Sequence, residues 1–169
     1  GSFHYHSSGD YCAFTGEGQY QNDIPFSHAR VHGGGEGWFS SDLLVKATTT
    51  DATPTILTPG GLADTTSFYP LPSVTHVCAF TLTVSAVLDD GGSSEAQVWK
   101  RSGAVHYRSG FGSLSAVDVI GTDITIGGLS GSFTLALNAG NNGLVVEVTG
   151  EASKNIRWGA ELDCLTVGY

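Results

Sequence analysis

His4-Tyr5-His6 is the stretch of this chain closest to metal chemistry. On a strand, alternate side chains share a face, so both imidazoles would point the same way. Three copies around a threefold axis would aim six imidazoles at one point, an octahedral set suited to Fe²⁺ or another transition metal. The same pair also reads as exposed residues beside a fraying end. His28 and His32 are four apart, a helical spacing, but Gly33, Gly34 and Gly35 follow and argue against a helix, so chance explains them. A second group is aromatic and basic. Trp99 and Tyr107 share one phase of a strand pattern, with Arg101 and Arg108 close by. An aromatic face suits the C–H face of a sugar, which makes these four residues the candidate ligand-binding surface; plain packing or an interface is the alternative for each ring.

Catalytic motifs are absent from the sequence. There is no Gly-x-Ser-x-Gly elbow, no His-Glu-x-x-His, no P-loop and no dinucleotide fingerprint. Asp89-Asp90 and Asp163 can be imagined as a glycosidase pair, but Gly91 and Gly92 follow directly, and turn duty accounts for the two aspartates. The expectation is a protein that is not an enzyme. Its acidic side chains could attract Ca²⁺ or Mg²⁺ through oxygen ligands, without a loop of EF-hand type. Cys12, Cys78 and Cys164 match neither zinc nor redox spacing. Cys78 and Cys164 fall on apolar phases and read as small buried hydrophobes, with a Cys78–Cys164 bridge as the alternative.

The elements that must position these groups are strands. Charged residues make up 14 % of the 169, and there are 24 Gly and no Met. Such a mix lacks the best helix formers and favours strands joined by turns. The net charge of −9 leaves no basic patch for nucleic acid or an anionic membrane. No apolar run reaches the length of a membrane span, and no signal-peptide pattern is present, so no membrane insertion is expected. Gly1-Ser2 at the start, in place of Met, reads as a fragment of something longer.

Texture divides the chain into an irregular stretch, 1–41, rich in Gly, His and aromatics, and a succession of strand patterns, 42–169. From Thr75 to Leu88, one phase holds Cys78, Phe80, Leu82, Val84, Ala86 and Leu88. A second strand, about Glu95 to Tyr107, is expected antiparallel to it, with a bulge near Gly103. Shorter patterns lie at 43–47, 55–58, 122–126, 133–137 and 144–148. In the last strand Ile156, Trp158, Ala160, Leu162 and Cys164 alternate with polar residues, and Trp158 reads as a core anchor. Seven or eight strands with frequent turns and almost no helix indicate an all-β fold, an antiparallel β-sandwich of jelly-roll type.

Several motifs carry a resemblance. Thr48-Thr-Thr-Asp-Ala-Thr-Pro-Thr-Ile-Leu57, the strand ending Ala86-Val87, Glu95-Ala-Gln-Val-Trp-Lys100, and the closing run from Gly143 to Trp158 follow the order of a C-terminal domain of bacteriophage tail-fibre and appendage proteins. Ser153 stands where that pattern favours Gly. The middle, Gly110 to Gly131, is less recognisable. Ser27-His-Ala-Arg30 resembles a worn copy of the repeats of fibrous trimeric shafts, which casts 1–41 as a shaft end. The resemblance implies a homotrimeric fibre tip on the virion, outside the cell. Its implied partners are other virion tail or fibre proteins and a host bacterial surface glycan or protein. It also gives a metal at His4 and His6 a precedent, since such fibres use His-x-His in this way. Two other readings stay open: a purely structural trimerisation or capping module, and a fragment of a polysaccharide depolymerase.

Overall fold

The structure, a computed structural model, describes residues 2–5, 12–15, 29–33, 38–58, 69–70, 76–90, 94–108, 111–115, 117–138 and 143–168. Side chains are described from residue 44 onward, apart from some at strand ends. In chain order the strands are β1 (Ser2–Tyr5), β2 (Cys12–Thr15), β3 (Ala29–Gly33), β4 (Trp38–Thr49), β5 (Thr55–Ile56), β6 (Tyr69–Pro70) and β7 (His76–Leu88). They continue with β8 (Ala96–Arg108), β9 (Phe111–Leu114), β10 (Asp118–Val119), β11 (Ile124–Ile126), β12 (Ser132–Asn138), β13 (Gly143–Thr149) and β14 (Ile156–Gly168). Among the described residues there is no helix, and every strand pair is antiparallel.

The large sheet runs β10-β8-β7-β14-β4-β3, with β9 and β11 also on the free edge of β8. Period-2 alternation decides its two faces. On β7, Cys78, Phe80, Leu82, Val84, Ala86 and Leu88 are buried while Ala79, Ser85 and Val87 are exposed. On β14, Ile156, Trp158, Ala160, Leu162, Cys164 and Thr166 are buried while Arg157, Glu161, Asp163 and Leu165 are exposed. A smaller sheet, β12-β13-β5 with β6 also on β13, supplies Leu144, Val146 and Val148 to the same hydrophobic cluster. Backbone hydrogen bonds stitch the two sheets. Lys46 on β4 exchanges N–H···O bonds with Thr58 (3.0 and 3.3 Å), and Leu57 N–H reaches Val146 O at 2.9 Å.

One expectation changes. No bulge sits at Gly103: the β7–β8 register passes Phe80↔Gly103 without a break. The reason is packing, since a Cβ on Gly103 would come within 2.7 Å of Phe80 Cζ, so the glycine makes room for the opposite ring. The change of texture between 41 and 42 falls inside β4, whose pairing with β14 runs on through Ser41↔Cys164 to Trp38↔Val167.

The first and the last of the stretches that carry the resemblance meet in space. Ala47, Thr48 and Thr49 lie opposite Trp158, Arg157 and Ile156. Trp158 is buried, and its indole N–H donates to Thr49 Oγ1 at 2.9 Å. A Cβ on Gly131 would stand 2.6 Å from Trp158 Cη2, and one on Gly150 would stand 2.7 Å from the Asp51 carbonyl. Asp51 in turn accepts from Thr53 N–H at 2.7 Å, which closes the turn before Pro54. That hydrogen bond, from hydroxyl and amide alike, holds the Asp51 carboxyl below its ordinary range.

Ser153 has φ +64°, in the left-handed region where a side chain is strained. Ser153→Gly should therefore stabilise the fold by about 1 kcal/mol, seen as a higher urea midpoint at unchanged slope; no gain would mean the strain is absent. Thr49→Val keeps the shape but orphans the indole N–H. It should cost about 1–3 kcal/mol in the same measurement, and a cost near zero would remove this bond from the account of the fold.

Candidate functional site

β8 places Trp99 and Arg101 on one face, and the structure brings both onto Phe133 of β12. Trp99 is 8 % exposed. Its ring stacks on Trp158 (5.9 Å between centroids, 12° between planes) and meets the Phe133 ring edge-on at 5.6 Å. The ring proposed as a sugar platform is thus spent in the core, where three aromatics bury each other. Arg101 is spent as well. Its Nη1 and Nη2 donate to Asp123 Oδ1 and Oδ2 at 2.6 and 2.9 Å, Nη1 also donates to Lys100 O, and Cζ lies 5.4 Å from the Phe133 centroid. A bidentate guanidinium–carboxylate pair over an aromatic ring is a positioning device.

Tyr107 and Arg108 stand at the far end of β8, opposite His76 on β7 and, on β9, Gly112 and Phe111. Their side chains lie outside those described, so the structure does not join them to Trp99 and Arg101. His4 is paired with Ala13 across β1–β2; its side chain and the whole of His6 lie outside the described residues. Among the described residues, no three His, Cys, Asp or Glu side chains gather as a metal site. Asp89 follows Leu88, which faces Ile156, and Asp163 lies seven residues further along β14. That is about 23 Å of strand, too far for the paired carboxylates of glycoside hydrolysis.

The residues that single-phase reading passed over lie beside Arg101. β10 and β11 are two parts of one edge strand on β8. Val119 faces Arg101 and Ile124 faces Val98, so four residues, 120–123, bulge out where two of β8 suffice. Ile120 N–H bonds Lys100 O at 3.0 Å, Gly121 takes φ +72°, and Asp123 is held by Arg101. The strand exposes Val119 (59 %), Ile124 (54 %) and Ile126 (53 %), with Ile120 beside them. Ile126 and Val87 both flank Ala96, so their apolar side chains continue across the outer face of the large sheet. The signal was there in the sequence: Val119 and Ile120 are adjacent and on opposite phases, so no single face could bury both.

A second polar tie fixes the opposite end of β8. Lys154 Nζ bridges Glu95 at 2.9 Å and Glu151 at 3.0 Å, and Glu151 accepts from the Ser130 backbone N–H. The Ser130 amide, then Lys154, holds Glu151 below its ordinary range, while Glu95 and Glu151 raise Lys154. Between the ties at Arg101 and Lys154, Ile124 and Ile126 form an apolar ledge on the outer face of the large sheet, whereas Val119, opposite Arg101, lies on the other face.

No family model and no curated protein matches the chain. Among solved structures it is similar to the tailspike protein of Acinetobacter phage vB_ApiP_P1, at 14 % identity and a TM-score of 0.25, over 94 % of this chain and 25 % of that one. The chain thus spans about a quarter of that protein's length. A TM-score this low carries no argument about fold or function.

Hydrogen bonding from Arg101 lowers the Asp123 pKa in the fold. The tie therefore contributes fully above the ordinary Asp value of 3.8 and is lost as pH falls through the lowered one. Wild type should melt above Asp123→Asn at neutral pH, and the gap should close below pH 3.8. A gap that does not change with pH would show that the tie is not ionic.

Proposed function

We propose that this chain is a tip module of a phage tail fibre or related virion appendage, with a sandwich-like β body, that binds a host bacterial surface glycan or protein as a homotrimer. The observation that carries this reading is the meeting of the two resembling stretches. Residues 48–57 and 143–158 supply Thr49, Asp51, Gly150 and Trp158 to one packed unit. Shared motifs that build one structural lock support a shared domain, and so the role that goes with it.

Adhesion in this reading is contact without chemistry. The outward ledge of Ile124 and Ile126, continued by Val87, is the contact surface in this reading, because it is apolar and exposed. Tyr107 and Arg108 belong to the same proposal as a flank on β8. Three copies on one fibre would convert weak single contacts into firm attachment through effective concentration.

The rival reading, a structural cap that touches no receptor, separates cleanly in one experiment. Sedimentation of the pure protein should give three times the chain mass, and the labelled trimer should adsorb to some members of a panel of bacterial isolates. Ile124→Asp with Ile126→Asp should keep the trimer and the melting temperature while adsorption falls at least tenfold. Full adsorption by that variant would move the contact elsewhere. Adsorption to none of the isolates would favour the cap, and a monomer at micromolar concentration would count against the whole reading.

A further inference from the structure

The outward face of the large sheet carries a pattern that neither the core nor the ledge uses. β7 lies between β8 and β14. Between Val77 and Val87 its outward residues are all small: Ala79, Thr81, Thr83 and Ser85. The residues beside them differ in kind from one flank to the other. Lys100 on β8 and Glu161 on β14 both face Thr83. Both are exposed, and neither makes an ion pair among the described residues, whereas Arg101, Lys154 and Arg157 each hold a carboxylate. Val98 on β8 and Gly159 on β14 both face Ser85. Ala104 on β8 and Leu165 on β14 both face Ala79, and Leu165 is 49 % exposed.

Gly159 has no reason within its own chain. It is not in the left-handed region, and a Cβ there would meet nothing nearer than the Val45 carbonyl at 4.0 Å. Gly103, Gly131 and Gly150, by contrast, each make room for a neighbour. A glycine inside a strand weakens it and marks the close approach of a ligand or another chain.

We propose that a threefold axis runs along the outward side of β7, so that the β8 flank of each copy packs on the β14 flank of the next. This rests on the homotrimer of the proposed function and names the surface that forms it. A rotation preserves height along its axis, so residues that face one β7 position in their own chain meet each other between chains. Lys100 then meets Glu161 of the next copy, Val98 fills the space over Gly159, and Leu165 packs on Ala104. Charge is matched in the first pair and size in the other two. The small side chains of β7 are what three strands converging on one line need. The contact is head-to-tail, and a threefold rotation closes it into a ring. Copies with a net charge of −9 repel one another, and this arrangement sets opposite charges together where they touch.

Sedimentation equilibrium from nanomolar to micromolar protein tests the interface. Lys100→Glu and Glu161→Lys each set like charges against one another, and each should raise the concentration at half-assembly at least tenfold. The two combined restore opposite charges and should return assembly to near the wild-type concentration. Gly159→Leu has open space in a single copy, so it should abolish the trimer while the monomer keeps its circular dichroism spectrum. A wild-type trimer that none of these variants weakens, or a double variant no better than the single ones, would overturn this interface and leave the homotrimer standing. A wild-type monomer would overturn the homotrimer itself, and this interface with it.

Discussion

One indole organises this molecule. Trp158 sits where the last strand passes between β4 and β7, and its ring has a partner on its face, its rim and its N–H. Trp99 covers one face, Gly131 yields space at the rim, and Thr49 takes the N–H. A Trp buried in a small β protein brings a large apolar surface and one polar atom that must be paired. Pairing that atom across β4 and β14 fixes the register of both strands. Because a slip of one residue would turn every side chain of a strand to the wrong face, register fixed at one end is fixed along all thirteen residues of β14.

The body of the fold was legible because its strands obey one rule. β7 and β14 alternate cleanly, and the residues on their apolar phases are the ones buried. Trp158 was legible for the same reason, being in phase with Ile156 and Leu162. Trp99 was not, because β8 mixes Gln97, Arg101, Gly103 and His106 with its apolar residues and shows no clear phase. Its burial depends on Phe133 and Trp158, which are 34 and 59 residues away in the chain. Gly103 misled for a related reason. A glycine in a strand announces either a kink or a close neighbour, and only the opposite strand tells which; here it is the Phe80 ring.

The free edge of β8 shows how the fold handles an exposed sheet margin. Bare edges invite other chains to pair, and proteins blunt them with bulges and charge. Both devices are present: residues 120–123 bulge, and the bulge itself carries Asp123, with Asp118 just before it. Yet the same strand keeps Val119, Ile124 and Ile126 in solvent.

The stretches with a recognisable pattern, 48–57 and 143–158, meet in the Trp158 lock, so their side chains answer to one another. The interval from Gly110 to Gly131, where the resemblance fades, is the one that carries the exposed ledge. It is joined to the body through Arg101–Asp123 and through backbone bonds to β8, neither of which specifies the identity of Val119, Ile124 or Ile126. These ties hold the strand in place without using its outward side chains, so motif similarity in this chain reports architecture.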